Sequence, residues 1–229
     1  MTPDDLRAFA AEHSARLEGA SAEEVVRWAH ETFGDRLAVT SSMGDALIPH
    51  LCSEVVPGIE VLFLDTGYHF PETIGTRDAV AATCGAKVRT ILPLLSVDEQ
   101  DAKYGPRLYE RDPDACCRMR KVEPLDAAMA DYDAWISGVR RDETPERADT
   151  PIVGYDEKRN LIKISPVASW TQQDADAYMQ DNGVLVNPLV SEGYLSIGCA
   201  PCTRAVQPGE DPRAGRWAGS GKSECGLHG

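Results

Sequence analysis

The chain has 229 residues, 42% hydrophobic and 26% charged, proportions of a folded globular protein that exclude a disordered, collagenous or low-complexity one. Its 23 basic against 37 acidic residues leave a formal net charge of −14, which disfavours sequence-independent binding to nucleic acid, so an anionic ligand requires a local basic site. No stretch approaches the roughly eighteen apolar residues of a membrane span, and Asp4, Asp5 and Arg7 stand where a secretory signal would be basic and then apolar; no membrane association and a cytoplasmic location are expected.

In chain order, Ser21 and Glu24 have capping-box spacing ahead of an amphipathic helix carrying Val25, Val26, Ala29 and Phe33. Strand-like and helix-like blocks then alternate, the pattern of a parallel sheet with helices on its faces. Residues 37–41 read as a strand and 42–45 as a tight turn. A helix over 46–55 follows, with Pro49 tolerated in its first turn. Residues 60–64 form a second strand, 65–69 a loop, Pro71 opens a helix to about Cys84, and 87–92 form a third strand. After a basic segment come strands at 134–138 and 161–164, separated by the polar loop 140–150. Thr171 caps a helix to about Asn182, and Gly183 ends it. Beyond Asn187-Pro188 the periodicity fades into a Gly/Pro-rich tail, and no internal repeat is present. The fold class is α/β, an open, mostly parallel twisted sheet with helices on both faces and a loop-rich mobile C-terminal tail.

Ser41-Ser-Met-Gly-Asp45 follows a strand and opens a helix, so its hydroxyls, glycine and helix N-terminus suit a phosphate or sulfate, although no Walker-type Gly-Lys-Ser/Thr follows. Lys103 to Lys121 holds six basic residues against three acids inside an acidic chain, a candidate anion site or a solvated face. Of seven cysteines, Cys52 and Cys84 lie in apolar helical stretches as small hydrophobes. Cys199-Ala-Pro-Cys202 has metal-ligand spacing in a loop. The tandem Cys116-Cys117 more naturally offers thiolates to two metal atoms than to a strained vicinal disulfide. Four thiolates suit zinc or an iron-sulfur cluster, and tandem ligands fit the cluster better. Cys225, near glycines 219, 221, 226 and 229, reads as a mobile nucleophilic thiol.

Several stretches together resemble the assimilatory sulfonucleotide reductases, specifically the iron-sulfur branch that reduces adenosine 5′-phosphosulfate. They are 64–73 (LDTGYHFPET), 116–121 (CCRMRK), 137–142 (SGVRRD), 170–174 (WTQQD), 187–188 with 193–199, 202–204, 213–217 (RAGRW) and 224–228 (ECGLH). The resemblance implies an adenine nucleotide alpha hydrolase-like fold, with a helical segment over 1–34, a sulfonucleotide-binding α/β domain over 35–190, and a cysteine loop and catalytic tail over 191–229 packing on that domain. It implies a 4Fe-4S cluster on Cys116, Cys117, Cys199 and Cys202, and release of sulfite and AMP with thioredoxin as donor. Cys225 would be the nucleophile that becomes an S-sulfocysteine, His228 a neighbour that lowers its pKa, and Lys121 the cation between cluster and substrate. Arg213 and Arg216 would grip the anion, with Arg140 or Arg141 as weaker phosphate candidates. Ser41, Ser42 and Gly44 would supply the phosphate loop, while Leu64 and Gly138 would border the adenosine. Self-association is compatible with this pattern. A 3′-phosphorylated substrate or dual use is the nearest alternative, and an ATP pyrophosphatase or an iron-sulfur sensor are remoter ones.

Overall fold

The N-terminal helices α1 (Pro3–Leu17) and α2 (Ala22–Phe33) each begin on a capping box, Thr2 with Asp5 and Ser21 with Glu24. In each, side chain and backbone satisfy one another's orphan donors. α2 buries Ala22, Val25, Val26 and Ala29, the i, i+3, i+4, i+7 stripe of a helix lying on a sheet. This computed structural model describes residues 1–217, 222, 226 and 227.

The body continues as β1 (Leu37–Thr40), α3 (Leu47–Val55), β2 (Glu60–Leu64), α4 (Pro71–Thr83) and β3 (Lys87–Ile91). Next come α5 (Val97–Tyr104), the short α6 (Leu108–Arg111) and α7 (Pro113–Cys117), a π-helical turn at Arg118–Val122, and α8 (Glu123–Met129). β4 (Ala134–Ile136), β5 (Val153–Asp156), β6 (Leu161–Ile164) and α9 (Gln172–Asp181) complete the regular elements among the described residues. Six strands form one sheet in the order β3-β2-β1-β4-β6-β5, parallel throughout except for the β5–β6 pair. The chain winds outward from β1 to β3 and then returns to place β4 on the other side of β1. That reversal opens a crevice at the carboxyl ends of β1 and β4, where open α/β sheets bind ligands.

Alternate strand residues fill two cores. Val39, Val61, Phe63, Ile136 and Ile164 pack with α2 and α3, while Ala38, Leu62 and Trp135 pack with Leu125, Ala128 and Met129 of α8. Burial on both faces is why these strands read as continuous apolar runs.

Three features depart from the sequence expectations. The stretch between β3 and β4, to which the sequence reading assigns no element, is largely helical, with Ser96 capping α5 and Asp112 capping α7. β5 went unread because it is four residues long, includes Gly154 and pairs on one side. Cys84 is the half-buried C-terminal cap of α4 and not a residue of its buried face, whereas Cys52 is fully buried in α3. No described helix is long and apolar enough to cross a membrane.

Candidate active site

The turn after β1 is pinned from below. Met43 has φ 57° and is fully buried. A left-handed backbone costs a residue with a Cβ about 1–2 kcal/mol, and burying a large apolar side chain offsets that with about 1.5–3 kcal/mol. Met43 is therefore a core plug within the turn. The Met43 N–H donates to Ser41 Oγ at 3.2 Å, and Asp45 Oδ1 accepts from the Leu47 N–H at 3.0 Å at the start of α3. Burial pushes the Asp45 carboxyl above its ordinary pKa, with the Leu47 N–H and Arg140 pulling the other way. Asn187, 1% exposed, donates to the Met43 carbonyl and Thr73 Oγ1, both at 3.1 Å, and so braces the loop from the far side.

Above this turn lies a cavity of about 650 Å³. Ser41, Ser42 and Gly44 line it at one end, Leu64 and Gly138 at the carboxyl ends of β2 and β4, and Arg140, Arg213 and Arg216 elsewhere on its wall. A Cβ on Gly138 would stand 2.8 Å from Ile48 Cγ1, so the backbone there approaches α3 as only glycine allows. Hydroxyls, backbone amides and arginines around an apolar floor of Leu62, Leu125 and Trp135 suit a nucleotide-sized anion.

A second, smaller cavity abuts it. Cys116, Cys117, Cys199 and Cys202 line it together with Tyr68, Tyr109, Arg120, Lys121 and Trp217. The two cysteine pairs, far apart in sequence, thus share one space. Burial, then the neighbouring Cys117 and Cys199, push the Cys116 thiol up to about 12; burial, Cys199 and Cys117 push Cys202 up to about 11. Thr66 Oγ1 lies 3.2 Å from Cys199 Sγ. The lining donors are soft thiols, and among the described residues no three His, Cys, Asp or Glu groups converge as ligands of a single metal ion.

Lys121, 9% exposed, lines both cavities, as does Trp217. The π-helical turn explains the lysine's placement. Its extra residue per turn lets consecutive Arg120 and Lys121 both point inward, and both are buried. Arg120 is fixed by the Thr66 carbonyl, by Gln100 Oε1 at 3.0 Å and by the Tyr68 ring 5.1 Å away. Arg216 lies against Gly198, where an added Cβ would meet its guanidinium at 2.6 Å, and 4.4 Å from the Trp217 ring centroid. Arg140 is oriented by Gln172 Oε1 at 2.6 Å and Asp142 at 3.2 Å.

Arg141 is not brought to the cavity lining. Its guanidinium pairs with Glu18, the C-cap of α1, at 2.5 Å and with the Thr150 carbonyl at 2.8 Å, which makes it a tie between the end of the N-terminal helix and the loop after β4. Cys225 and His228 lie outside the described residues. Leu227 lines the large cavity and packs on the Leu62, Leu125 and Trp135 cluster.

Sequence reasoning assigned no role to Arg120, His69, Thr66 or Trp217. His69 lines the large cavity, and its Nε2–H donates to the Leu64 carbonyl at 2.8 Å. Burial holds its pKa below the ordinary value, with Lys121 adding to the effect. Trp217 adjoins the Arg213 to Arg216 segment, a position visible in the sequence once that segment is noticed.

Residues 36–205 match the phosphoadenosine phosphosulfate reductase domain. An adenosine 5′-phosphosulfate reductase of Streptomyces coelicolor is 59% identical over 228 residues, covering 100% of this chain and 97% of the relative. The corresponding protein of Mycolicibacterium smegmatis is 53% identical, covering 99% and 96%. A crystal structure of phosphoadenylyl-sulfate reductase from Candida auris, in complex with phosphate, superposes with a TM-score of 0.76 at 29% identity, covering 86% of this chain and 96% of that one. FMN adenylyltransferase of Candida glabrata, at 10% identity and a TM-score of 0.57 over 87% of this chain and 74% of its own, shares the fold alone. By domain match and full-length identity, the chain belongs to the phosphoadenosine phosphosulfate reductase family.

Proposed function

We propose that this chain reduces adenosine 5′-phosphosulfate to sulfite and AMP, with thioredoxin as electron donor and Cys225 as nucleophile. The observation that carries the proposal is the junction of two cavities at Lys121, one of nucleotide size with a hydroxyl-bearing turn, the other lined by four paired thiols. Full-length relatives named for adenosine 5′-phosphosulfate support the substrate without a 3′-phosphate.

The turn at Ser41, Ser42 and Gly44 would take the nucleotide phosphate at the start of α3, with Leu64 and Gly138 against the adenosine. The reaction then brings a thiolate to a sulfate. Two like unit charges 4 Å apart repel by about 4 kcal/mol at an effective dielectric of about 20. Lys121, Arg213 and Arg216 would offset that repulsion with fixed positive charge, more fully as attack proceeds. The Cys225 thiolate forms a bond to the sulfate sulfur as the bond from that sulfur to the bridging oxygen breaks, and the electron pair leaves with AMP. A thioredoxin thiolate then attacks the Cys225 sulfur, sulfite departs, and the second thioredoxin thiol frees Cys225 from the mixed disulfide. Both electrons come from the thioredoxin dithiol. His228, three residues after Cys225, would favour the thiolate by its proximity.

Cys116, Cys117, Cys199 and Cys202 would hold a 4Fe-4S cluster, since paired soft donors sharing one space suit several iron atoms. When bound there, the cluster supplies a tie between α7 and the 199–202 loop and a charge beside Lys121. None of the six described cysteines is joined in a disulfide, which suits the reducing cytoplasm.

The deciding experiment measures sulfite release from adenosine 5′-phosphosulfate and from its 3′-phosphorylated form, with reduced thioredoxin present and absent. Thioredoxin-dependent sulfite from the first is the expected result. Equal turnover of both would make the enzyme dual-specific, and no sulfite from either would overturn the proposal.

A further inference from the structure

We infer that Arg159 is a positioning residue that docks the C-terminal tail at the nucleotide cavity by holding the Leu227 carbonyl, an inference that rests on Cys225 being the nucleophile. Arg159 lies in the turn between β5 and β6, outside the cavity lining, with a side chain 3% exposed. Its Nη1 donates to Asp156 Oδ2 at 2.8 Å and to the Leu227 carbonyl at 3.1 Å, and its Nε donates to Asp126 Oδ1 at 2.7 Å. The guanidinium carbon is 5.6 Å from the Trp135 ring centroid. Asp156 is itself held, accepting from Trp135 Nε1 at 3.1 Å and from the Arg159 N–H at 3.2 Å.

Two carboxylates already neutralise this arginine and an indole orients it, so the β5–β6 turn needs nothing from a carbonyl 68 residues away. The turn alone sets the fork, and a donor fixed in advance binds with little further loss of freedom. Nη2 is buried without a hydrogen-bond partner among the described residues, a sign that the group is shaped for more acceptors than the turn supplies. The same contact seats the Leu227 side chain on the Leu62, Leu125 and Trp135 floor, within the cavity wall.

A second contact lies at the other end of the segment. Lys222 pairs with Asp114 and lies 5.8 Å from the Trp217 ring centroid. The Asp114 side chain is 86% exposed, so solvent screens that pair and it contributes little, whereas the Arg159 contact is shielded. Cys225 stands in the sequence three residues after Lys222 and two before Leu227. Holding Leu227 limits how far the residue two positions before it in the sequence can lie from the cavity. Arg159 would thus govern how often the thiol is presented, not how tightly nucleotide binds.

The test follows two readouts in the full-length protein: trypsin release of the 223–229 peptide by cleavage after Lys222, and single-turnover AMP release from adenosine 5′-phosphosulfate without thioredoxin. Arg159→Lys keeps a charge for Asp156 and Asp126 but cannot present a planar fork, and Leu227→Ala alters the tail alone. Both should speed peptide release and slow AMP release, Arg159→Lys by about ten- to a hundredfold, the scale of one charge-assisted hydrogen bond. AMP affinity should stay within about twofold in Arg159→Lys, because Arg159 stands outside the cavity lining. Arg159→Met should show the larger effect; if loss of its charge unfolds the protein, the other two variants decide. A purely structural arginine would instead lower melting temperature and AMP affinity together, with no selective cleavage at Lys222. Unchanged peptide release in both Arg159→Lys and Leu227→Ala would overturn the inference. Absence of sulfonate on the wild-type Cys225 peptide would instead remove the nucleophile assignment, while the cleavage data would still score the anchor.

Discussion

The two cavities that meet at Lys121 are built on opposite terms. The larger is walled by strand ends and turns from many parts of the chain, with hydroxyls, arginines and leucines intermixed, the surface of a site that admits and releases a ligand. The smaller is walled by thiols, aromatic rings and two buried cations, brought together from α7, the π-helical turn and the 199–202 loop, the surface of a site that keeps what it holds. Their shared lysine means that a change in one alters the field in the other. Changes confined to one wall should act separately, and changes at Lys121 should act on both cavities.

The largest separable effect belongs to the proposed nucleophile. Cys225→Ser should lower sulfite formation by roughly 10³-fold or more, the scale seen when a covalent nucleophile is removed. It should leave iron content and AMP binding intact, and mass spectrometry of the substrate-treated wild type should find the sulfonate on this cysteine's peptide. Sulfite formation by the serine variant, or sulfonate on another cysteine, would remove the mechanism.

Replacing any one of Cys116, Cys117, Cys199 and Cys202 by serine should break the smaller cavity. Iron and acid-labile sulfide, expected in matching amounts in anaerobically purified wild type, should fall together with melting temperature, because metal binding ties segments far apart in sequence. Stoichiometric zinc without sulfide in the wild type would refute the cluster.

Coupling should show at the cations. Lys121→Ala, Arg213→Ala and Arg216→Ala should each cost about 1.5–3 kcal/mol in AMP binding or sulfite formation, about ten- to a hundredfold. Lys121→Ala should also perturb the cluster's spectrum, since that side chain lines both spaces. Three variants that bind and turn over like wild type would place the anion elsewhere.

The smallest effect is acid sensitivity in the wall of the larger cavity. Burial keeps the folded-state pKa of His69 below its ordinary 6.5, so the unfolded chain takes up the proton more readily. The stability contributed by neutral His69 is complete above 6.5 and is lost as pH falls from there through the folded value. Melting curves of wild type and His69→Gln, which keeps a donor for the Leu64 carbonyl, should converge as pH drops below 6.5. Parallel curves would show that His69 does not titrate in this range.

The alternating body from β1 to β3 was legible because β1 and β2 are apolar on both faces, β3 carries the β-branched Val88, Thr90 and Ile91, and each turn is marked by glycine or proline. The cysteine pairs were legible as composition. The stretch from Pro93 to Asp133 was not, because its helices are short and one is π-wound, a geometry no apolar period announces. Arg140 and Arg141 looked equivalent as neighbours at a strand end. Only the packed fold shows one at the cavity and the other tied to Glu18, 123 residues away. Arg159 sat in a charged turn, Asp156-Glu-Lys-Arg159, that reads as a solvated surface, yet its side chain is enclosed by residues distant in sequence.

Met43 has a consequence for how the family's substrate range could be redrawn in this chain. A loop of glycines slides and re-forms around phosphates of different bulk, but a loop bolted to the core by its own side chain has a fixed aperture. Room for an added phosphate would have to come from the part of the rim beside Asp45, where Arg140 and Glu143 stand on the loop after β4 and Gln172 at the start of α9. Selection experiments for a bulkier nucleotide should therefore accumulate changes on that rim and leave residue 43 alone.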